Sequence, residues 1–399
     1  MKKLATTILA AGVMASALTA NSVILAVEVD DNLDKVNYKS GVWDGKQFST
    51  ITLYPQTTIE FNDKKANALN ADNKAIEAEV AAVYNGSKIA FMIKWPDGTK
   101  NIQKGYATDV YSDGFAVQFA SDYSNPTKLP YIGMGSEGRP VVIYLQKEAF
   151  GIYEPNGEGD VAYQVNPNQT NLFGKDLAKF NKNVKKLGSN DYERSFVSEG
   201  FRSMTEIKDG SNDSYSRIGY VGKGWEGTLS RPLKDDYVDL DAGVIPVAFA
   251  VWDGAKMGRN GLKYLTPWLA VELDGKSDGE PLLKALTKKP EGDVQKGKDA
   301  AVANCAACHQ LTSEDAPNLM GPSLTNIGGY ATVDYIKESL VKPSAVVVPG
   351  YNRNAHSNYA WYNLENGKRV SAMPDFSWME SSDIDDIVAY LKTLKAEVK

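Results

Sequence analysis

The stretch Ile89-Ala90-Phe91-Met92-Ile93-Lys94-Trp95 decides the fold of the first two thirds of the chain. Large apolar side chains alternate with smaller or polar ones, and this period of two is typical of a β-strand. Residues 115–119, 141–145, 247–251 and 269–273 repeat the pattern, and the turn dipeptides Asn-Gly and Asp-Gly occur at 85–86, 97–98 and 253–254. Many strands joined by such turns predict an antiparallel β-sandwich over residues 27–275.

The periodicity changes after residues 276–290, a segment that contains Asp278-Gly279 and ends in Lys288-Lys289-Pro290 and that we interpret as a linker. In the last 20 residues, apolar side chains recur with the spacing of one helix face: Ile384, Ile387, Val388, Leu391 and Leu394. Ser382 and Asp385 resemble a capping box at the start of that helix, and a further helix is predicted to begin near Asp293. Residues 291–399 are therefore predicted to form an all-α domain.

Composition narrows the chemistry that the chain can perform. Its 399 residues include two cysteines and two histidines and carry a net charge of −6. So few soft ligands exclude a multi-cysteine disulfide scaffold, a structural zinc module, an iron–sulfur cluster held by thiolates and a cytochrome with many haems. The acidic balance argues against nucleic acid as a partner.

The first residues have the features of an export signal. Met1-Lys2-Lys3 precedes an apolar segment that reaches Ala26, with small residues near its end. This order predicts a signal peptide at residues 1–26, with cleavage after Ala20 or Ala26. Because no later stretch is apolar enough over a sufficient length, we expect a periplasmic protein without an integral membrane segment after cleavage.

Both cysteines lie in the motif Cys305-Ala306-Ala307-Cys308-His309. Thiols with this spacing add to the two vinyl groups of one haem, and the adjacent histidine reaches the iron. The motif therefore predicts covalent haem c bound through Cys305 and Cys308, with His309 as an iron ligand.

Residues 291–397 resemble a class I cytochrome c as a whole. Gly321-Pro322 follows the motif at the distance where that family carries a proline against the haem histidine. Tyr390 is similar to the aromatic residue of the last helix that meets a glycine of the first helix, here Gly297. One departure is Ala301, where many members have a bulky aromatic residue.

The second axial ligand of this haem is expected in the segment Ser371-Ala372-Met373-Pro374, which resembles the family's methionine loop. Met373 is the predicted ligand, and its thioether favours ferrous iron and raises the potential. By sequence distance alone Met320 and Met379 are alternatives, and His356 is a further alternative because it is the other imidazole of the chain.

Residues 40–275 carry a second resemblance, to the haem-binding γ subunit of ethylbenzene dehydrogenase. The segment AFMIKWPD at 90–97 is similar to an early strand of that family, and GMG at 133–135 is similar to its methionine loop. Further short segments match in the same order, at residues 113–119, 140–144, 231–233, 248–254 and 261–263.

In that family the sandwich holds one haem b between a methionine and a lysine. The resemblance implies Met134 and Lys263 as the iron ligands here, with Lys256 as the alternative lysine. It also implies one-electron transfer without substrate chemistry, and redox partners that include molybdenum catalytic and iron–sulfur subunits.

Two other functions remain open from the residues. The 21 tyrosines and 7 tryptophans fit a sandwich that binds carbohydrate or a protein partner, in which case the second domain alone carries haem. A haem peroxidase is the enzyme alternative, and it requires a vacant iron position.

Overall fold

The computed structural model describes residues 23–59, 63–72, 74–104, 110–150, 153–155, 184–186, 192–201, 203–208, 213–318, 320–349 and 361–399. The strands are β1 (Val23–Glu28), β2 (Ser49–Pro55), β3 (Ile76–Tyr84), β4 (Lys88–Pro96), β5 (Gln103–Lys104), β6 (Gly114–Ala120), β7 (Val141–Lys147), β8 (Ala149–Phe150), β9 (Tyr153–Pro155), β10 (Val184–Lys186), β11 (Glu193–Ser198), β12 (Thr205–Glu206), β13 (Tyr215–Val221), β14 (Gly224–Pro232), β15 (Val244–Trp252), β16 (Tyr264–Leu265), β17 (Leu269–Leu273), β18 (Tyr362–Glu365) and β19 (Lys368–Ser371). The α-helices are α1 (Lys64–Asn70), α2 (Glu280–Leu286), α3 (Val294–Asn304), α4 (Ile327–Tyr330), α5 (Val333–Val341) and α6 (Ser381–Leu391).

Two halves of one large sheet form the first domain. One half runs β12-β11-β7-β6-β15 and the other β2-β3-β4-β14-β13, and β16, β17 and β1 connect them. The halves pack face to face through aromatic side chains: the ring of Phe91 lies 5.9 Å from that of Phe119 and 6.0 Å from that of Phe249. The predicted order, a largely antiparallel β domain followed by a helical domain, is confirmed.

Three features of the fold differ in detail from the sequence prediction. Strand β1 pairs in parallel with both β17 and β3, so the sheet is mixed rather than purely antiparallel. Strand β11 lies within residues 151–215, whose high content of Asn, Gly, Ser and Lys predicts long loops; the strand is short and only half-buried, so its apolar alternation is weak. Helix α2 occupies part of the predicted linker. Its Leu282 is buried, so this segment packs against the rest of the chain instead of forming an extended connection.

The central strands are buried on both faces, unlike the half-exposed strands that alternation normally indicates. Every residue of β6 and β15 is buried. Phe249 points into the sandwich, whereas Ala250 and Trp252 belong to a second apolar cluster that also contains Tyr330 and Ile336 of the helical domain. The helical domain thus covers the outer face of the sheet.

Helices α3 and α6 pack closely where the sequence resemblance predicts. A side chain at Gly297 would collide with the carbonyl oxygen of Asp386, and its Cβ would lie 3.0 Å from that of Tyr390. Asp293 caps α3 by accepting hydrogen bonds from the backbone N–H groups of Gln295 and Lys296. The predicted Gly297–Tyr390 contact and the helix start near Asp293 are confirmed.

The predicted capping box of the last helix is wrong. Helix α6 has Glu380 at its N-cap position, without a capping side-chain hydrogen bond, and Ser382 lies inside the first turn. The domain is also not entirely helical, because β18 and β19 form a hairpin just before the Met373 segment. In the part of the chain that the structure describes, no helix is long and apolar enough to cross a membrane.

Candidate haem sites

The Cys305–His309 motif forms a tight turn directly after α3. Cys305 is the C-cap residue of that helix, and its carbonyl oxygen accepts hydrogen bonds from the N–H groups of Cys308 and His309, at 3.0 and 2.9 Å. Both thiols are free, with Cys305 buried and Cys308 half-buried. Burial, followed by the neighbouring Cys308, raises the pKa of the Cys305 thiol to about 11.

One hydrogen bond determines which nitrogen of His309 is available to a metal. Its Nδ1–H donates to the carbonyl oxygen of Pro322 at 2.8 Å, and a carbonyl oxygen can only accept. Nε2 therefore keeps its lone pair for a metal, which is the arrangement of a ligating histidine oriented by a backbone carbonyl. Burial also lowers the pKa of His309, so the neutral ligating form is favoured.

Gly321 sets the position of the imidazole ring from the other side. A Cβ at this residue would lie 2.6 Å from Cε1 and 2.7 Å from Nδ1 of His309. The sequence pattern drew attention to the neighbouring Pro322 but not to the need for a glycine at position 321. That need arises from a contact with His309 that only folding creates.

We predict that Gly321→Ala displaces the His309 ring and weakens its bond to the iron. Overpacking of this kind typically costs about 1–3 kcal/mol of folding free energy. Redox titration and the low-spin absorption spectrum of the haem report the displacement. Gly98→Ala is the matched control, because a Cβ there meets no atom within 4 Å. If Gly321→Ala behaves like this control, the ring is not held by Gly321.

A cavity of about 220 Å³ adjoins the motif. Cys305, Cys308 and His309 line one side, and Met373 lines it together with mainly apolar side chains that include Leu340 and Phe376. Two thiols, a histidine with Nε2 available and an apolar enclosure fit a covalently attached haem c.

Among the predicted alternatives to Met373, Met320 also lines this cavity, although 47% of its surface is exposed. Met379 packs against the apolar cluster but is not one of the described residues that line the cavity. His356 lies outside the described residues. The structure therefore brings Met373 and Met320, but not Met379, to the same cavity as His309.

Met134 lies in an unusual loop on the outer face of the sandwich. Its backbone φ is +82°, a left-handed conformation that costs a non-glycine residue on the order of 1–3 kcal/mol. The side chain is 8% exposed and belongs to the apolar cluster of Ile143, Trp252 and Leu265. Strain of this kind concentrates at functional sites, and a methionine that merely fills space does not require it.

Lys263 faces the same cluster from the end of the β15–β16 connection. Its Nζ lies 5.3 Å from the ring centroid of Trp252. Burial, followed by the charge of Lys147, lowers the pKa of Lys263 to about 8. Within the described residues this amine has no hydrogen bond or ion pair. An amine without an anionic partner and with a lowered pKa is suited to bind a metal in its neutral form.

Lys147, at the end of β7, is a residue that sequence reasoning missed. Its Nζ lies 5.6 Å from the centroid of the same Trp252 ring, and burial lowers its pKa to about 8. The signal was present in the alternation of β7, which places Lys147 on the face of Ile143 and Leu145. Two lysines, Lys147 and Lys263, therefore lie near the Trp252 ring. Trp252 belongs to the same apolar cluster as Met134.

Lys256, the alternative ligand, has a different environment. Its Nζ donates a hydrogen bond to the hydroxyl of Tyr264 at 3.1 Å. Nearby are Asp97, Asp113 and Asp253, whose carboxylate oxygens lie within 4.8 Å of one another. Burial lowers the pKa of Lys256 overall, with a further contribution from the charge of Lys399, while the carboxylates of Asp253 and Asp97 oppose this shift. This acidic surrounding favours a charged ammonium and suits an iron ligand less well than the environment of Lys263 does.

Two family models match separate parts of the chain. The family model described as ethylbenzene dehydrogenase matches residues 40–264, and the cytochrome c model matches residues 294–395. The chlorate reductase subunit gamma of Ideonella dechloratans is 35% identical over 74 residues, a match that covers 18% of this chain and 30% of the relative.

Among solved structures, two of a family 9 carbohydrate binding module from Caldicellulosiruptor kristjanssonii, with glucose and with cellotriose, cover 64% of this chain and 98% and 95% of theirs. Their sequence identities are 6% and 8%, and their TM-scores are 0.30 and 0.29. Structural similarity at this level does not support any inference about a ligand of this chain.

The fold and the first site define a haem protein of electron transfer, in which a β domain precedes a cytochrome c domain with covalent haem c. The chain belongs to the ethylbenzene dehydrogenase family, and its C-terminal domain is a cytochrome c domain.

Proposed function

We propose that this protein is an exported cytochrome with two haems, which carries electrons for a periplasmic molybdoenzyme. Haem c is bound by Cys305, Cys308, His309 and Met373, and haem b is bound in the sandwich by Met134 and Lys263. The relative named as a chlorate reductase gamma subunit supports a role as a redox subunit beside molybdenum catalytic and iron–sulfur subunits.

The observation that carries the haem b proposal is the arrangement around Trp252. Lys263, which has no anionic partner among the described residues, lies 5.3 Å from the centroid of this indole, and Met134, a buried methionine with a strained backbone, belongs to the same apolar cluster as Trp252. A soft thioether and a neutral amine form a donor set for six-coordinate iron without a histidine. The β domain contains no histidine that could serve as a ligand, since His309 and His356 both belong to the second domain.

The haem groups supply one-electron chemistry, and the side chains of this chain hold and tune them. Cys305 and Cys308 tether haem c, and the Pro322 carbonyl keeps the His309 lone pair directed to the iron. If each iron is held by its two proposed side-chain ligands, neither centre would offer a position for substrate, so we propose a carrier of electrons rather than an enzyme.

Export is also part of the proposal, and strand β1 supports the earlier of the two predicted cleavage sites. Val23, Ile24, Leu25 and Ala26 pair with residues 270–273 of β17, and Ile24 and Ala26 are buried. Cleavage after Ala26 would remove most of this strand, whereas cleavage after Ala20 leaves it whole. We therefore propose Ala20 as the last residue removed, which N-terminal sequencing of the exported protein tests.

A pyridine haemochrome spectrum of the freshly purified protein tests the two-haem proposal. We expect one c-type and one b-type haem per chain, with the b-type haem extracted by acidic acetone and the c-type haem retained. A c-type signal alone would contradict the haem b proposal and favour a sandwich that binds carbohydrate or a protein partner.

Met373→Ala tests the second ligand of haem c. We expect the weak sulfur-to-iron absorption of the ferric spectrum to disappear and the potential to fall, because a thioether stabilises ferrous iron. Met379→Ala is the matched control, and Met320→Ala tests the other methionine at the cavity. If only Met320→Ala removes the absorption, Met320 is the ligand.

A further inference from the structure

The loop that carries Met134 also forms part of the wall of the haem c cavity. The N–H of Gly135 donates to the carbonyl oxygen of Tyr131 at 2.9 Å and closes a compact turn over residues 131–135. Tyr131 lines the cavity of Cys305 and His309, although it belongs to the β domain. Three virtual bonds of about 3.8 Å keep the Cα atoms of Tyr131 and Met134 within about 11 Å of each other.

Tyr131 is held firmly against the helical domain. Its hydroxyl shares a hydrogen bond of 2.8 Å with the hydroxyl of Thr58, and its ring centroid lies 5.6 Å from that of Tyr335 on α5. The side chain is 2% exposed. Tyr335 and Thr58 also line the haem c cavity, so the phenol ring sits inside that wall rather than at its edge.

The rest of the turn is clamped to the sheet. Gln118 donates from Nε2 to the carbonyl oxygen of Ile132 at 2.9 Å, and Trp268 donates from Nε1 to that of Pro130 at 2.9 Å. The N–H of Gly200 donates to the carbonyl oxygen of Met134 at 2.8 Å. Three donors from separate segments therefore fix the loop, which is the condition for a precisely positioned site.

Polar contacts hold the two domains in one arrangement. Arg139 and Glu338 form a bidentate ion pair at 2.7 and 2.8 Å, with side chains only 16% and 13% exposed. The N–H of Glu137 donates to the carbonyl oxygen of Val347 at 2.9 Å, and its carboxylate accepts from Arg369 at 2.8 Å. Because these contacts flank the 131–135 turn, the distance between the two sites does not depend on a flexible tether.

We propose that the 131–135 turn is the route of electron transfer between the two haems of a single chain, with Tyr131 as the residue that positions the haem c side and Met134 as the ligand on the haem b side. This inference rests on the proposed haem b site. In each step one electron leaves one iron, which is oxidised from ferrous to ferric, and reduces the other from ferric to ferrous. No bond is formed or broken and no proton is transferred.

The test uses the full-length protein with its haem content established by the haemochrome spectrum. One electron is injected into haem c by a photoexcited ruthenium complex, and absorption in the b band follows its arrival at haem b. We expect a rate that is independent of protein concentration. We also expect the ferric haem b signal in electron paramagnetic resonance to relax faster than in the Cys305→Ala, Cys308→Ala variant, which lacks haem c.

Two variants separate positioning by Tyr131 from a general effect on the fold. Tyr131→Leu should slow the transfer while both haems and their ligand spectra remain, and Tyr131→Phe, which keeps the ring, should restore most of the rate. A rate proportional to protein concentration, or equal relaxation with and without haem c, would overturn the proposed route even when both haems are present. Absence of haem b would instead refute the proposed function itself.

Discussion

Replacing Cys305 and Cys308 together with alanine should abolish covalent haem attachment completely. These are the two cysteines of the chain, so no other thiol can form a thioether bond. They lie in one turn beside His309 and line the same cavity. Haem staining after denaturing electrophoresis, together with the intact mass of the exported protein, measures the loss.

The single variants Cys305→Ala and Cys308→Ala are informative controls. Each keeps one thiol, so we expect reduced attachment through one thioether rather than none. Haem b should persist in the double variant, because the proposed ligands Met134 and Lys263 belong to the other domain. A haem-stained band that survives denaturation of the double variant would show that attachment uses different chemistry.

Met134→Leu and Lys263→Leu should each cause loss of most non-covalent haem while leaving haem c intact. Haem b has no thioether tether, so its retention depends on axial bonds and apolar burial. Leucine removes the donor atom but keeps the apolar volume at position 134, and a swap of this kind usually costs less than about 1.5 kcal/mol of stability. The b-type haem per chain, with near-infrared magnetic circular dichroism of any haem that remains, gives the readout.

Lys147→Leu is the matched control for Lys263→Leu. Both amines approach the Trp252 ring, at 5.6 and 5.3 Å from its centroid, and burial lowers both pKa values to about 8. If Lys263 is the ligand, Lys147→Leu retains haem b with an unchanged ligand signature. Loss of that signature in Lys147→Leu alone would transfer the ligand role to Lys147. Full haem b in the variants of Met134, Lys263 and Lys147 would refute the ligand set.

Folding must be checked separately in these variants, because the two sites share an apolar cluster. Trp252 and Met134 belong to the same cluster as Tyr330 and Ile336, so a large cavity at Met134 can loosen the contact between the domains. Far-ultraviolet circular dichroism and the unaltered haem c spectrum provide the internal standard. Because covalent haem c survives unfolding, a variant that has lost its fold is recognised by loss of haem b together with the low-spin haem c spectrum.

The sequence alone determined the features that depend on short stretches. The strands β4, β6, β7, β15 and β17 follow from local alternation, since each lies where its period-two segment predicts. The haem c motif is equally local: five consecutive residues supply two thiols and an imidazole, and the helix that ends at Cys305 brings them together. Its chemistry therefore needed no knowledge of distant contacts.

The tertiary structure decided what depends on residues far apart in the sequence. Alternation cannot show that β6 and β15 are covered on both faces, because the covering domain follows much later in the chain. Met134 and Lys263 came from a family resemblance, and only folding brings Lys263 and Lys147 near the Trp252 ring and Met134 into the same apolar cluster. The position of Tyr131 in the wall of the haem c cavity also depends on residues far apart in the sequence. The shape and hydrogen bonds of two packed surfaces determine such an interface, and no local pattern of residues encodes it.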